Sequence, residues 1–290
     1  MDILMVGATG RYAQFVLAEL VQRGVGVRAL VRSEQSAEVA LRNGASEVTF
    51  GDLNEPESLA AAVTGVEGVF HIGPAFVEDE ATIGVAMVDA ARQAGVRKFV
   101  YSGVIHPVIT AMDNHAAKLP VEDALYISGL DFTVLQPAVF MQGIADRYWG
   151  GIVNDGRLSL PYSVSSKLCY VDYREVAEAA AIAMISDRLS FGTFELCAAG
   201  LFDGTQVAAI ASSVLGRRIE AVESFLDDYA AGQPEGTVAA RMSRMIAHYD
   251  RFGLPGGNPL VLRAILGREP RTLSDYFHEL HSCNRRTAKT

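Results

Sequence analysis

The sequence of 290 residues is poor in cysteine, and its three cysteines lie far apart. Cys169, Cys197 and Cys283 form no Cys-x-x-Cys pair and share no ligand spacing with histidine, so the sequence predicts no metal site. An odd number of scattered cysteines is typical of reduced structural thiols rather than of a disulfide framework. The sequence therefore favours a cytoplasmic protein.

The sequence also has a deficit of positive charge and no long hydrophobic run. It contains 25 lysines and arginines against 34 acidic residues, which gives a formal net charge of −9. Because nucleic-acid binding depends on lysine and arginine, this balance argues against nucleic acids and anionic membranes as main partners. The longest apolar stretch, near Val176–Ile185, is interrupted by Glu178 and is too short to span a bilayer.

Short apolar runs alternate with amphipathic segments through the first half of the chain. This order is typical of βαβ units, whose parallel strands are covered by helices on both faces. The predicted strands are Ile3–Val6, Val27–Val31, Glu47–Phe50, Gly68–Ile72, Lys98–Tyr101 and Phe132–Leu135. The predicted helices are Arg11–Arg23, Gln35–Asn43, Pro56–Val63, Glu80–Ala94 and Asn114–Ile127. The predicted fold class is therefore α/β, a Rossmann-type doubly wound parallel sheet of at least six strands.

The alternation becomes looser after about residue 150. The predicted elements there are a helix after Asp172, a strand at Thr193–Cys197, a helix at Thr205–Leu215 and helices between Val238 and Leu280 that are interrupted at Pro255–Pro259. We therefore expect an NAD(P)-binding Rossmann domain over residues 1–150. Residues 151–290 are expected to form a smaller α+β lobe on the substrate side, partly interwoven with the first domain.

A glycine-rich turn joins the first predicted strand to the first predicted helix. It reads Gly7-Ala8-Thr9-Gly10-Arg11-Tyr12-Ala13 and fits the pattern Gly-x-x-Gly-x-x-Ala. Such a turn lets the backbone approach a pyrophosphate, while the helix N-terminus offers unpaired N–H groups. The candidate dinucleotide-binding residues are Gly7, Thr9, Gly10, Arg11, Tyr12 and Ala13. The competing interpretation is an ordinary tight turn between a strand and a helix.

The end of the second predicted strand indicates which dinucleotide is bound. NAD-binding proteins usually have an acidic residue there, which accepts hydrogen bonds from the ribose, whereas this chain has Val31-Arg32-Ser33. A guanidinium group suits a phosphate by its charge and by the geometry of its donors. Arg32, helped by Arg11, therefore predicts NADP as the cofactor, with NAD as the second choice. The alternative is that Arg32 is a solvated surface residue.

Further motifs make the sequence similar to a known family. They are Gly7-Ala8-Thr9-Gly10, Val31-Arg32, Gly51-Asp52-Leu53, Phe99-Val100-Tyr101-Ser102, Asn114-His115-x-x-Lys118, Ser128 through Pro137, Phe140-Met141-Gln142 and Leu266 through Thr272. Together they span nearly the whole chain and resemble the NmrA-like proteins, atypical members of the short-chain dehydrogenase/reductase superfamily. The resemblance implies a Rossmann domain, a small C-terminal substrate lobe and a cleft over the nicotinamide between them.

The resemblance also implies roles for individual residues. The pair Asp52-Leu53 would lie beside the adenine, and His71-Ile72-Gly73-Pro74 would run along the ribose and phosphates of the cofactor. Ser102, Lys118 and the segment Pro137-Ala138-Val139-Phe140 would face the nicotinamide. The structural alternatives are that Asp52 caps a turn and that Pro137 shapes one.

The chain departs from the superfamily at the residue that usually supplies the proton. Conventional members place Tyr-x-x-x-Lys on one helix face, because residues four apart project from the same side, but the residue four before Lys118 is Asn114. A side-chain amide is not a general acid at neutral pH. The candidate catalytic residues are then Lys118, His115 and Ser102, with Lys118 holding the ribose or giving the proton. His115 and His106 are alternative acids, since imidazole titrates near neutrality; a solvated lysine and structural histidines are the competing interpretations.

Two functions fit these residues. The first is an NADPH-dependent reductase of a small aromatic, quinone-like or enone molecule, with Phe140, Tyr148 and Trp149 lining its cleft or, equally, packing in a core. The second, as with the family's namesake, is a redox-sensing regulator that binds NADP(H) without turnover and signals to a protein partner. An NADP-dependent epimerase is a more distant third. Either of the first two is compatible with a homodimer.

Overall fold

The structure, a computed structural model, describes residues 1–224 and 234–287. The chain divides into two compact units. The first unit comprises Met1–Gln136 and Arg174–Glu195, and the second comprises Pro137–Tyr173 and Leu196–Thr290. The chain passes from the first unit to the second after Gln136 and returns to the first unit after residue 173, while the predicted division at residue 150 stays a prediction. The assignment of these units to cofactor and substrate stays a prediction.

The helices and strands are numbered here in chain order. The strands are β1 Asp2–Val6, β2 Gly26–Val31, β3 Glu47–Phe50, β4 Gly68–His71, β5 Lys98–Ser102, β6 Asp131–Pro137, β7 Val139–Phe140, β8 Arg157–Leu160, β9 Leu168–Val171, β10 Gly192–Leu196, β11 Leu201–Phe202 and β12 Glu220–Glu223. The helices are α1 Ala13–Gln22, α2 Glu34–Arg42, α3 Pro56–Val63, α4 Glu80–Gln93, α5 Asp113–Ala116, α6 Leu119–Ser128, α7 Gln142–Arg147, α8 Trp149–Asp155, α9 Tyr173–Ile185, α10 Gly204–Leu215, α11 Val238–Phe252, α12 Leu260–Leu266 and α13 Leu273–Thr287.

The largest sheet in the described part of the chain has seven strands in the order β10-β6-β5-β4-β1-β2-β3. Strands β1 to β6 pair in parallel. Their order reverses between β1 and β4, which is the topological switch point of a doubly wound sheet. Because Val6 is level with His71, the carboxyl ends of these two strands lie side by side. The predicted α/β Rossmann-type fold is confirmed.

The core of the first unit joins the central strands to helices α3, α4 and α6. Its fully buried members include Leu4, Val63, Val69, Met87, Phe99, Leu125 and Val134. Helices α4 and α6 approach closely at Gly84, where an added Cβ would lie 2.4 Å from Cγ2 of Val121. Only glycine lets the two backbones come this near, and the contact brings the first turns of both helices together.

The helix predicted at Asn114–Ile127 is wrong in one respect, because the structure divides it into α5 and α6. Pro120 lies in the first turn of α6. Proline has no N–H group, and its ring crowds the carbonyl group four residues earlier, here that of Ala116. The first helix therefore ends at Ala116, and Lys118 lies at the start of the second, not within one continuous helix.

The second unit contains small sheets and helices. One sheet has the order β11-β9-β7, and the other pairs β12 with β8. Helix α10 begins with a capping box, in which the Asp203 carboxylate accepts from the Gln206 N–H and the Gln206 side chain accepts from the Asp203 N–H. No helix within residues 1–224 or 234–287 is long and apolar enough to cross a membrane.

Candidate functional site

The glycine turn lies at the switch point of the sheet, directly after β1. Gly7 has a φ of 77°, and the Gly10 N–H donates to the Gly7 carbonyl oxygen over 2.7 Å. A Cβ on Gly7 would lie 3.0 Å from both Cγ2 and the carbonyl oxygen of Ile72. The turn thus needs a left-handed conformation and a close approach to the loop after β4, and glycine satisfies both conditions.

The N-terminus of α1 is suited to an anion. The N-cap residue Tyr12 makes no side-chain capping hydrogen bond, and no acidic residue lies in the first turn. Ala13 is buried, as a residue between helix and strand should be, whereas Thr9, Gly10 and Arg11 are exposed. This ten-residue helix directs the positive end of its dipole toward this point. These features fit the pyrophosphate of a dinucleotide.

Arg32 is exposed at the end of β2, next to the glycine turn. Because β2 pairs with β1 and Met5 is level with Ala29, Arg32 and the turn lie at the same edge of the sheet. Ser33 begins α2 by accepting a hydrogen bond from the Ser36 N–H, so the position of Arg32 is fixed by a capped helix. No side chain in the described ranges forms an ion pair with Arg32. Its guanidinium group fits the 2′-phosphate that distinguishes NADP from NAD.

Asp52 and Leu53 follow β3 at this edge. The Asp52 carboxylate accepts from the Asn54 N–H over 2.9 Å, and the Asp52 N–H donates to Ser58 Oγ over 2.9 Å. Asp52 thus caps a turn, which is the structural alternative considered for it. Leu53 packs against the core of the first unit. The contact of this pair with an adenine ring stays a prediction.

The predicted segment His71-Ile72-Gly73-Pro74 begins inside the sheet and leaves it after β4. His71 is almost fully buried, and its ring stacks on Tyr101 with centroids 5.8 Å apart. Burial, and then the positive charge of Lys118, lower the pKa of His71 to about 3. Its imidazole is therefore neutral near pH 7. Ile72, Gly73 and Pro74 are half-buried in the loop that approaches Gly7.

Lys118 forms a buried ion pair with Glu80, the first residue of α4. Its Nζ donates to Glu80 Oε1, and both side chains are less than one-tenth exposed. The interpretation of Lys118 as a solvated lysine is therefore wrong. Glu80 Oε2 also accepts from the N–H of Phe76 over 3.0 Å. Through these two bonds Glu80 connects Lys118 to the loop after β4, where φ of Phe76 is 67°.

Glu122 is a second buried carboxyl group, one helical turn after Lys118. Both of its oxygens lie within hydrogen-bond distance of Gln136 Nε2, at 2.9 and 3.0 Å. Burial raises the pKa of Glu122, against the opposing effects of the Gln136 hydrogen bond and of Lys118. The pKa of Tyr101 is raised well above its usual value by burial and by the charges of Glu80 and Glu122. We call His71, Glu80, Tyr101, Lys118, Glu122 and Gln136 the buried polar cluster.

Glu80, Glu122 and Gln136 were not predicted from the sequence as site residues. Each is buried although its residue type is usually exposed. Glu122 follows Lys118 by four residues, a spacing that places it on the same helix face and could have drawn attention to it. No comparable signal marks Glu80, because its contact with Lys118 joins residues 38 positions apart.

The two candidate histidines have structural contacts. His115 is fully buried, and its Nδ1 lies 3.1 Å from the carbonyl oxygen of His106. His106 Nδ1 in turn lies 3.1 Å from Glu195 Oε1. Ser102 is buried at the end of β5, level with Leu135. These contacts support the structural interpretation of the histidines and leave Ser102 and Lys118 as the candidates for the nicotinamide end.

The remaining predicted residues belong to the second unit. Pro137 ends β6 and is buried, whereas Val139 and Phe140 form the short strand β7 and are half-buried. The Phe140 ring packs edge-on against Tyr173 with centroids 4.6 Å apart. Trp149 is buried against Phe277, so for this residue core packing is the correct interpretation.

Tyr148 lines a small pocket within the second unit. The other lining residues are Ile144, Leu158, Leu160, Tyr162, Leu168, Tyr170, Gly204 and Val207. Burial raises the pKa of Tyr148, so its hydroxyl keeps its proton at neutral pH. In the part of the chain that the structure describes, no three His, Cys, Asp or Glu side chains are grouped so that they could hold a metal ion.

Known proteins similar to this chain identify its family. Residues 1–277 match the model of the NmrA-like family. The chain belongs to this family. An NAD(P)H azoreductase of Xenophilus azovorans is 28% identical over 288 residues, which cover 94% of this chain and 96% of that protein. The predicted family is thus confirmed.

Solved structures share the fold of this NmrA-like chain. Triphenylmethane reductase of Citrobacter sp., complexed with NADP(H), has a TM-score of 0.80 at 22% identity and covers 96% of this chain and 99% of its own. NmrA, a negative transcriptional regulator in complex with NADP, has a TM-score of 0.75 at 20% identity and covers 100% of this chain and 98% of its own. At these identities the likeness establishes the fold of the NmrA-like chain and leaves its activity to be argued from its residues.

Proposed function

We propose that this chain is an NADPH-dependent reductase of a small aromatic, quinone-like or enone substrate. One observation carries the proposal: the glycine turn of Gly7–Ala13 lies beside the exposed Arg32 at the same edge of the sheet. The glycine turn suits a pyrophosphate, and the guanidinium group of Arg32 suits the 2′-phosphate of NADP. The bound cofactor would supply the hydride. NAD lacks the 2′-phosphate and is the weaker candidate.

The substrate class rests on the missing tyrosine and on the names of relatives. Asn114 stands where the conventional acid would be, so an acceptor that needs little help from an acid is favoured. Two similar proteins are named as an azoreductase and a triphenylmethane reductase. Ser102 and Lys118 are proposed to face the nicotinamide.

The cofactor preference is tested at Arg32. In the variant Arg32→Ala we expect NADPH affinity to fall roughly 10- to 100-fold, because a hydrogen-bonded charge contributes about 1.5–3 kcal/mol, while NADH affinity changes little. Arg42→Ala is the matched control, since Arg42 is an exposed arginine at the other end of α2. Fluorescence titration of both cofactors measures the outcome. Tighter binding of NADH than NADPH by the unaltered protein would contradict the proposal.

A regulator that binds NADP(H) without turnover is the second candidate. The ion pair with Glu80 occupies the ammonium group of the buried Lys118, and this favours binding without turnover. The likeness to NmrA also favours it. NADPH oxidation against azo dyes, triphenylmethane dyes, quinones and enones distinguishes the two functions. Turnover with any of them supports the reductase. Its absence with all of them, together with partner binding that differs between NADP+ and NADPH, supports the regulator.

A cytoplasmic location and a homodimer are further parts of the proposal. Cys169 and Cys197 are buried and Cys283 is exposed, and none of the three forms a disulfide bond, which suits a compartment where thiols stay reduced. Light scattering at several protein concentrations would measure whether the chain forms a dimer.

A further inference from the structure

We propose that Glu122 holds the proton that this chain adds to its reduced substrate, in place of the absent tyrosine. This inference rests on the proposed reductase function. Glu122 is 7% exposed and lies in α6 one turn after Lys118. The reaction that it would serve transfers a hydride from the nicotinamide to the acceptor. The acceptor atom that gains the electron pair then takes a proton from the Glu122 carboxyl group, and water returns a proton to the carboxylate.

Other titratable groups nearby are less suited to give a proton. The imidazole of His71 is neutral, because its pKa is lowered to about 3. Tyr101 keeps its proton, because its pKa is raised well above the usual value for tyrosine. Lys118 donates a hydrogen bond to the carboxylate of Glu80. If Lys118 gave up a proton, it would lose the positive charge on which this ion pair depends.

The position of Glu122 suits a proton donor. Its Oε1 lies 3.2 Å from the point that a Cβ on Gly103 would occupy, immediately after Ser102 at the carboxyl end of β5. Ligands of doubly wound sheets bind at this end of the strands. Gln136 at the end of β6 fixes the carboxyl group through its amide nitrogen. The proton is thereby held at the edge of the sheet and not in the interior of the core.

The environment of Glu122 raises its pKa and so makes its carboxyl group easier to protonate. Lys118 on the same helix acts on the pKa of Glu122. Glu122 and Glu80 on α4 both act on Tyr101 of β5, on which His71 stacks. The positive charge of Lys118 is largely balanced by the negative charge of Glu80. Burial is therefore the main effect, and it disfavours the carboxylate, consistent with the raised pKa of Glu122.

The protonation is tested without turnover by NMR on protein whose glutamates carry a ¹³C-labelled carboxyl group. We expect one carboxyl resonance to titrate above the others and to be missing in Glu122→Gln. Glu57→Gln is the matched control, since Glu57 is exposed on α3, and it should leave the Glu122 resonance in place. A Glu122 resonance that titrates with the exposed glutamates would overturn the proposal.

The kinetic test uses the same variants with an acceptor that the unaltered protein reduces. General acids contribute roughly 10²–10⁴-fold to rate, so kcat of Glu122→Gln should fall at least about 100-fold, with the Kd of NADPH unchanged. In the unaltered protein kcat should fall as pH rises through the pKa of Glu122, and Glu122→Gln should lose this step. Full kcat in Glu122→Gln would overturn the role of Glu122 and leave the proposed reductase function standing. Failure of the unaltered protein to reduce any acceptor would overturn the reductase and this role with it.

Discussion

Gly7 is the single residue on which the glycine turn depends most. An alanine there would have to adopt a φ of 77°, which costs roughly 1–2 kcal/mol, and its Cβ would meet Ile72 at 3.0 Å. We expect Gly7→Ala to lose this stability and to bind NADPH roughly tenfold more weakly, an effect of about 1.4 kcal/mol. Urea unfolding and fluorescence titration measure the two effects.

Gly24 offers a matched control for this substitution. Its φ is 75°, but nothing lies within 4 Å of an added Cβ. Gly24→Ala should therefore carry the backbone cost without the contact and should leave NADPH binding unchanged. Equal NADPH affinity in the two variants would show that the close approach of Gly7 to Ile72 has no part in cofactor binding.

Single residues also show what the sequence could not reveal about the site. The glycine turn and Arg32 were recognisable because a strand end and a helix start determine their positions locally. The ion pair of Lys118 with Glu80 was not, because it depends on how closely α4 and α6 approach at Gly84. Burying a charge is costly unless a partner is present, so the partner of Lys118 can be identified only once the packing is known.

The helices and strands were predicted more accurately than the side-chain contacts. Strand β3 and helix α3 have the predicted bounds, since apolar periodicity and flanking residues determine them. The break between α5 and α6 was missed, although Pro120 signals it. Strand β10 was predicted at Thr193–Cys197 in the part expected to be partly interwoven with the first domain, but its pairing with β6 in the central sheet was not predicted. The Phe191 N–H donates to the Phe132 carbonyl oxygen over 2.7 Å, a contact between distant residues that no local pattern contains.

The start of helix α13 gives a prediction for one element. Thr272 and Asp275 form a reciprocal cap: the Asp275 carboxylate accepts from the N–H and the hydroxyl of Thr272, and Thr272 Oγ1 accepts from the Asp275 N–H. The hydrogen bonds from the Thr272 N–H, and then from its hydroxyl, lower the pKa of Asp275. We expect Asp275→Asn to lose about 0.5–1 kcal/mol of unfolding free energy at neutral pH, a cap value reduced for solvent exposure.

The sign of the pH dependence follows from the lowered pKa. The carboxylate stabilises the folded state above the unfolded pKa of about 3.9, and this stabilisation is lost as pH falls through the lower folded pKa. The difference between Asp275→Asn and the unaltered protein should therefore shrink from about pH 5 to about pH 3 in urea unfolding. Asp89→Asn, which removes an exposed carboxylate paired with Arg92, should change stability little. A deficit of Asp275→Asn that stays constant with pH would contradict this account.

At the scale of the whole molecule, the chain passes between its two units at residues 136, 173 and 195. Residues 151–290 were expected to be partly interwoven with the first domain, and nearly all of helix α9 and strand β10 belong to the first unit. Cofactor binding should therefore be measured on the full chain. NADPH at about 100 times its Kd should raise the unfolding free energy by about 2.7 kcal/mol if it binds only the folded state.

Hydrogen exchange on the full chain locates that stabilisation. Because the proposed phosphate contacts lie at the turn after β1 and the loop after β4, we expect NADPH to slow exchange of the amides in residues 7–13 and 72–76. NADH at the same concentration should slow them less, because it has no 2′-phosphate for Arg32. Slower exchange at residues 139–141 as well would support the predicted role of Val139 and Phe140 at the nicotinamide. Unchanged exchange at residues 7–13 under saturating NADPH would place the cofactor elsewhere and contradict the assignment of the first unit as its binding site.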